Sequence, residues 1–177
     1  MQTNIKEEHK PLTAKAAISL GSNLGESPII LEKALETLEQ TSDIIIENIS
    51  NWYETVPVGP AQPNYINGCA IIQTELSPQN LLKTLLEIET KFGRVRAERW
   101  GARILDLDLI LYENLILNTP QLQIPHPRMS ERAFVLVPLA EIAPNWIEPV
   151  TGKTIAELLQ KIDTSGIIKK IELNPER

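Results

Sequence analysis

Two aspartates one residue apart, Asp106 and Asp108, interrupt an apolar run, Ile104-Leu105-Asp106-Leu107-Asp108-Leu109-Ile110-Leu111. Side chains of an extended strand alternate between faces, so the aspartates share one face and Leu105, Leu107, Leu109 and Leu111 share the other. Carboxylates whose backbone origins lie about 6–7 Å apart repel one another and lose hydration among apolar neighbours unless a cation sits between them. Mg²⁺ is the hard cation held by one or two carboxylates together with substrate phosphates. Directly upstream, Arg94, Arg96, Arg99 and Arg103 fall within ten residues and make up four of the chain's seven arginines. Guanidinium groups grip phosphate in a planar, multidentate way. Arginines on phosphate oxygens, with carboxylates on the metals that neutralise them, are the parts of phosphoryl transfer. An Asp-x-Asp pair alone would read as the water-facing side of a half-exposed strand. The adjacent arginines turn it toward chemistry.

Other stretches carry weaker signals. Tyr65 and Asn67 sit at strand spacing, so a ring and an amide face the same way, a recognition pair suited to a flat heterocycle. Pro125-His126-Pro127-Arg128 and Arg132 form a second basic stretch; a histidine between prolines is also an ordinary loop residue. Gly21-Ser22-Asn23 reads as a turn at the end of the first strand. Glu89 precedes the arginine-rich loop and either meets solvent or orients an arginine. Cys69 reads as a small core residue.

The elements that must position these residues follow from periodicity. Ala16 to Leu20 is a short buried strand. Ser27-Pro28 starts a helix with Leu31, Ala34, Leu35 and Leu38 on its apolar face. Ile44 to Tyr53 reads as one strand, rich in β-branched and aromatic residues. Residues 56–63, with three prolines and a glycine, form a loop. Tyr65 to Glu75 is a strand, and Ser77-Pro78 opens a helix ended by Gly93. Residues 94–103 form a loop, and Ile104 to Tyr112 is a fourth strand. The order β-α-β-β-α-β predicts an α+β fold with a ferredoxin-like core. C-terminal additions follow: helices at Ala133–Ile142 and Ile155–Ile162, and a strand at Ile167–Leu173.

Composition bounds the partners. A chain of 177 residues, 42% hydrophobic and 23% charged, predicts a flexible leader over residues 1–13 and one domain over 14–177. The net charge of −6 argues against nucleic acid and anionic membranes as partners. A single cysteine, with no signal peptide and no long apolar run, predicts a soluble cytoplasmic protein.

Taken together, the stretches resemble the 6-hydroxymethyl-7,8-dihydropterin pyrophosphokinase family of folate biosynthesis. The resemblance runs from about Ala16 to Ile162. It is carried by Arg99-Trp100-Gly101-Ala102-Arg103-Ile104-Leu105-Asp106-Leu107-Asp108-Leu109-Ile110 and supported by Gly21-Ser22-Asn23-Leu24, Tyr53-Glu54-Thr55, Gln62-Pro63-x-Tyr65-x-Asn67, Gly93-Arg94-Val95-Arg96 and Pro125-His126-Pro127-Arg128-Met129. It implies transfer of pyrophosphate from ATP to a reduced pterin alcohol by a monomer or weak homodimer. Asp106 and Asp108 would coordinate two Mg²⁺ ions on the ATP phosphates. Glu89, Arg96, Trp100, Arg103, His126 and Arg132 would serve ATP. Tyr65 and Phe134 would sandwich the pterin, beside Thr55, Val56, Val58, Asn67 and Trp100. Arg94, Arg103 and Asp108 would take part in catalysis, and loops 55–64 and 93–103 would close on ATP. The family pattern is broken at Ala102 and Val56, each standing where proline is common.

Competing readings remain at this point. A nucleotidyltransferase also uses a Gly-Ser turn and an Asp-x-Asp pair, though usually close together on one hairpin, and would release pyrophosphate in place of AMP. An RNA-recognition domain shares the element order but needs clustered aromatics. A non-enzymatic ligand-binding module would leave the arginines and aspartates as coincidence.

Overall fold

The periodic segments assemble into a six-stranded antiparallel sheet with helices on both faces in the computed structural model, which describes residues 13–93 and 103–172. The leader, apart from Thr13, and the arginine-rich loop up to Ala102 lie outside the described residues. Strand β1 (Ala14–Ser22) runs through the middle, with β4 (Tyr65–Thr74) on one side and β5 (Asp106–Tyr112) on the other. Strands β2 (Ile44–Ile49) and β3 (Trp52–Thr55) share the far edge of β4, and β10 (Ile167–Ile171) adds to β3. Short hairpins β6 (Leu117–Asn118) with β7 (Gln123–Ile124), and β8 (Ile147–Glu148) with β9 (Lys153–Thr154), lie outside this sheet.

Helices α1 (Ser27–Gln40) and α2 (Pro78–Lys91) cover one face. Leu31, Ala34, Leu35 and Leu38 of α1 and Leu81, Leu85 and Ile88 of α2 pack with Ala16, Ile18 and Leu20 of β1. Each large aliphatic side chain buried there contributes about 1.5–3 kcal/mol relative to exposure. The start of α2 is specified locally, because the Ser77 side chain accepts from the Asn80 N–H at 3.2 Å and Pro78 needs no donor in a first turn. Helices α3 (Ala133–Ile142) and α4 (Ile155–Leu159) form a second cluster against the other face, with Ala17, Cys69, Ile71, Ile110 and Leu111. Among the described residues they cover only part of that face, and the remaining part lines the site. Among the described residues no helix is long and apolar enough to cross a membrane.

Three expectations are corrected. Ile44–Tyr53 is two strands, interrupted at Ser50-Asn51. There the Ser50 hydroxyl accepts from the Cys69 N–H at 2.8 Å and donates to the Asn51 carbonyl at 2.8 Å, while Asn51 is held by Glu141. Gly68 lies opposite this break and admits the Trp52 ring, since a Cβ there would stand 2.4 Å from Trp52 Cε3. Second, Leu111 does not share a face with Leu105, Leu107 and Leu109. The pairing of β1 with β5 slips between Ala17 and Ile18, where Ala17 faces Leu111 but Ile18 faces Leu109. An extra residue in one strand resets the alternation. Third, β1 does not stop before Gly21 but continues through Ser22.

Candidate active site

The continuation of β1 is what assembles the site. Gly21 pairs with Asn67 on one side and Asp106 on the other, and Ser19 pairs with Cys69 and Asp108. Paired residues lie on the same face, so the two aspartates stand across a slim strand from the Tyr65–Asn67 pair. Gly21 leaves room for this: a Cβ built on it would meet Asn67 Oδ1 at 2.6 Å. The Asn67 amide is oriented from beyond, where its Nδ2 donates to Thr55 Oγ1 at 2.7 Å, with both residues buried.

These residues form the floor of a cavity of about 530 Å³, well within the range of small-molecule sites. One wall is loop 56–63, through Val56, Pro57, Val58 and Gln62. Arg103, His126, Arg128 and Arg132 also line the cavity, with Phe134 at the start of α3. The cavity thus brings together Thr55, Val56, Val58, Tyr65, Asn67, Arg103, Asp106, Asp108, His126, Arg132 and Phe134. Arg94, Arg96 and Trp100 lie outside the described residues.

Sequence patterns did not single out Ser19, Glu131 or the turn formed by Asp163, Gly166 and Ile167, which also line the cavity. The turn arrives because β10 pairs with β3, and the Val56 N–H donates to the Gly166 carbonyl at 2.9 Å. A proline at position 56 would have no donor for this bond.

Glu89 is placed differently from the other expected residues, being absent from the cavity lining. It is 1% exposed and accepts from the Leu107 N–H at 2.8 Å. Among the described residues strand β5 ends the sheet, so its outward N–H groups lack a neighbouring strand there, and Glu89 supplies an acceptor between the two aspartates. Glu89→Ala would leave that N–H buried and unpaired, and is expected to lower stability by about 2–3 kcal/mol. Glu89→Gln, which keeps an acceptor, should lose less; urea melts of both variants measure the difference.

His126 is held neutral, its pKa lowered to about 4 by burial first and then by the positive charges of Arg132 and Arg128. Its Nδ1 accepts from the Arg128 N–H at 3.2 Å, which leaves Nε2 to carry the proton as a donor. A histidine lowered in the folded state takes up protons more readily once unfolded. Its contribution to stability is therefore complete above about pH 6.5, the ordinary value, and is lost as pH falls toward 4. His126→Gln is expected to flatten the decline of the urea midpoint across that window, with little change at pH 8. Nearby, the Arg132 guanidinium carbon lies 5.4 Å from the centre of the Phe134 ring, within cation–π range.

Among the described residues no group of three or more histidine, cysteine, aspartate or glutamate side chains could enclose a metal. The Asp106–Asp108 donor set suits an ion that completes its coordination with water and substrate oxygens, as Mg²⁺ does, and does not suit a closed structural site.

The family model for 7,8-dihydro-6-hydroxymethylpterin-pyrophosphokinase matches residues 17–144. A 2-amino-4-hydroxy-6-hydroxymethyldihydropteridine pyrophosphokinase of Synechocystis is 49% identical over 152 residues, covering 86% of this chain and 78% of that protein. One of Haemophilus influenzae is 45% identical over 161 residues, covering 90% and 98%. A crystal structure of wild-type Plasmodium falciparum HPPK-DHPS with pteroate superposes with a TM-score of 0.70 at 16% identity over 86% of this chain. This chain spans 43% of that longer one, and at 16% identity the likeness speaks to fold alone.

Proposed function

The chain belongs to the 7,8-dihydro-6-hydroxymethylpterin-pyrophosphokinase family, and on that footing we propose how its cavity carries out the reaction. The enzyme transfers pyrophosphate from ATP to 6-hydroxymethyl-7,8-dihydropterin, releasing AMP, in folate biosynthesis. The single observation that supports the site assignment is the pairing of Gly21 with both Asn67 and Asp106, which sets the Tyr65–Asn67 row beside the acidic pair in one cavity.

The pterin ring lies between Tyr65 and Phe134, its edge meeting Thr55 and Asn67, with Val56 and Val58 beside it. Arg103, His126 and Arg132 hold the triphosphate, together with Arg94, Arg96 and Trp100 from the loop outside the described residues. Asp106 and Asp108 hold Mg²⁺, two ions with each ATP, which when bound neutralises phosphate charge and favours displacement at phosphorus. The pterin hydroxymethyl oxygen forms a bond to the β-phosphorus, and the bond from that phosphorus to the α-phosphate oxygen breaks as AMP departs. The hydroxyl proton passes to Asp108, because His126 is committed as a donor. Arg94 and Arg103 balance the developing negative charge. Glu89 serves by holding the edge of β5 between the aspartates. Holding both substrates in one cavity accounts for a large share of the acceleration, and closure of loop 55–64 over them excludes water. We read the order β3–β4–β1–β5, with α1 and α2 on one face, as the ferredoxin-like plan, and residues 14–177 as one catalytic domain.

The test is to incubate the protein with ATP, Mg²⁺ and the reduced pterin alcohol and to quantify products. AMP and pterin diphosphate in equal amounts are expected. Pyrophosphate release would establish nucleotidyl transfer in their place.

A further inference from the structure

Asn23, which the sequence presents as part of a turn, joins three segments far apart in the chain. It is 5% exposed. Its Oδ1 accepts from the Arg103 N–H at 2.8 Å, while its Nδ2 donates to Gln62 Oε1 and to the Pro63 carbonyl, each at 2.9 Å. The Asn23 N–H also donates to the Arg103 carbonyl at 3.0 Å, and Leu24 N–H reaches the same oxygen at 3.1 Å. Gln62 belongs to loop 56–63 and Arg103 to the segment that leads into β5, and both line the cavity.

We propose that Asn23 is a positioning residue, setting the pterin-side loop at a fixed distance from the backbone that launches Arg103 toward the phosphates. The proposal rests on the two-substrate reading of the cavity given above. The amide works in one direction: it accepts on the arginine side and donates on the loop side. A serine or threonine hydroxyl donates and accepts through one atom with a single proton, so it cannot replace an acceptor on one side and two donated bonds on the other. A serine reaches less far, and a carboxylate accepts only. Aspartate would keep the bond from the Arg103 N–H but lose both donors, and would set an anionic oxygen against the Pro63 carbonyl. Alanine would sever both sides.

Asn23→Asp and Asn23→Ala therefore separate the two halves of the contact. For Asn23→Asp, KM for the pterin is expected to rise about tenfold, with KM for ATP within twofold of the parent. For Asn23→Ala both should rise. In amide hydrogen exchange without substrates, residues 58–66 should exchange faster in both variants, and residues 103–106 faster only in Asn23→Ala. An unchanged pterin KM in Asn23→Asp, or an equal rise in both KM values there, would overturn the proposal. Unaltered exchange in residues 58–66 would do the same. Should Asn23→Ala fail to fold, the aspartate variant decides alone. Absence of AMP formation by the parent protein would instead refute the functional reading, and the exchange experiment would still judge Asn23.

Discussion

Replacing Asp106 or Asp108 with asparagine is expected to lower kcat by about three orders of magnitude or more while leaving the melting temperature within a few degrees. The two side chains line the cavity and are only partly buried, whereas Leu105, Leu107 and Leu109, between and beside them, anchor the strand in the α1–α2 core. Asparagine preserves shape and removes one of two like charges, so the fold loses little. On the proposed reading, what is lost is an anionic oxygen that would hold Mg²⁺, and with it the neutralisation of phosphate charge that the ion would supply. Steady-state AMP release with circular dichroism melts checks both halves. Near-parental turnover in both variants would remove the acidic pair from the chemistry. A loss of turnover that accompanies unfolding would show that the pair is structural.

Gly21→Ala should reduce kcat/KM for the pterin about a hundredfold, the scale expected from misplacing a binding group by an ångström. Gly21 lies in regular strand pairing, so the backbone itself tolerates a side chain. The difficulty is steric. The new methyl would stand 2.6 Å from Asn67 Oδ1 and 3.6 Å from Tyr65 Cδ1. Asn67 would have to rotate, surrendering its bond to Thr55 Oγ1, and the amide proposed to meet the pterin edge would point elsewhere. A double-mutant cycle isolates this cause: in an Asn67→Ala background, where the obstructing oxygen is gone, Gly21→Ala should cost little further. Equal losses in both backgrounds would show that Gly21 acts by some route other than room for Asn67.

The acidic pair is legible in the amino-acid sequence, whereas the place of Gly21 is not. The facing of Asp106 and Asp108 follows from strand alternation, a property of the backbone over a few residues, and the arginines beside them suggested phosphate. Tyr65, Asn67 and the helical faces of α1 and α2 were legible for the same reason. Resemblance to the pyrophosphokinase family pointed to Phe134 and Thr55, which composition and spacing would not have selected, and gave His126 a role beyond that of a loop residue in a basic stretch. Gly21, by contrast, looked like the end of a strand because an apolar run gives way to Gly-Ser-Asn. Its continued pairing depends on β4 and β5 lying on either side. Asn23 looked like an ordinary turn residue, and nothing near it in the chain announces partners 39 to 80 residues away.

The amino-acid sequence determined by itself which residues share a face, where helices begin, and that an acidic pair follows a run of arginines, because each is governed by contacts within a turn or two of chain. Only the tertiary structure decided that Leu111 crosses to the other core, that Glu89 lies behind the cavity against the edge of β5, and that Asp163 and Gly166 arrive beside Val56. Each of these depends on which strand lies next to which and where the pairing slips. That choice is made by packing distant segments together, a long-range cooperation that no local pattern records.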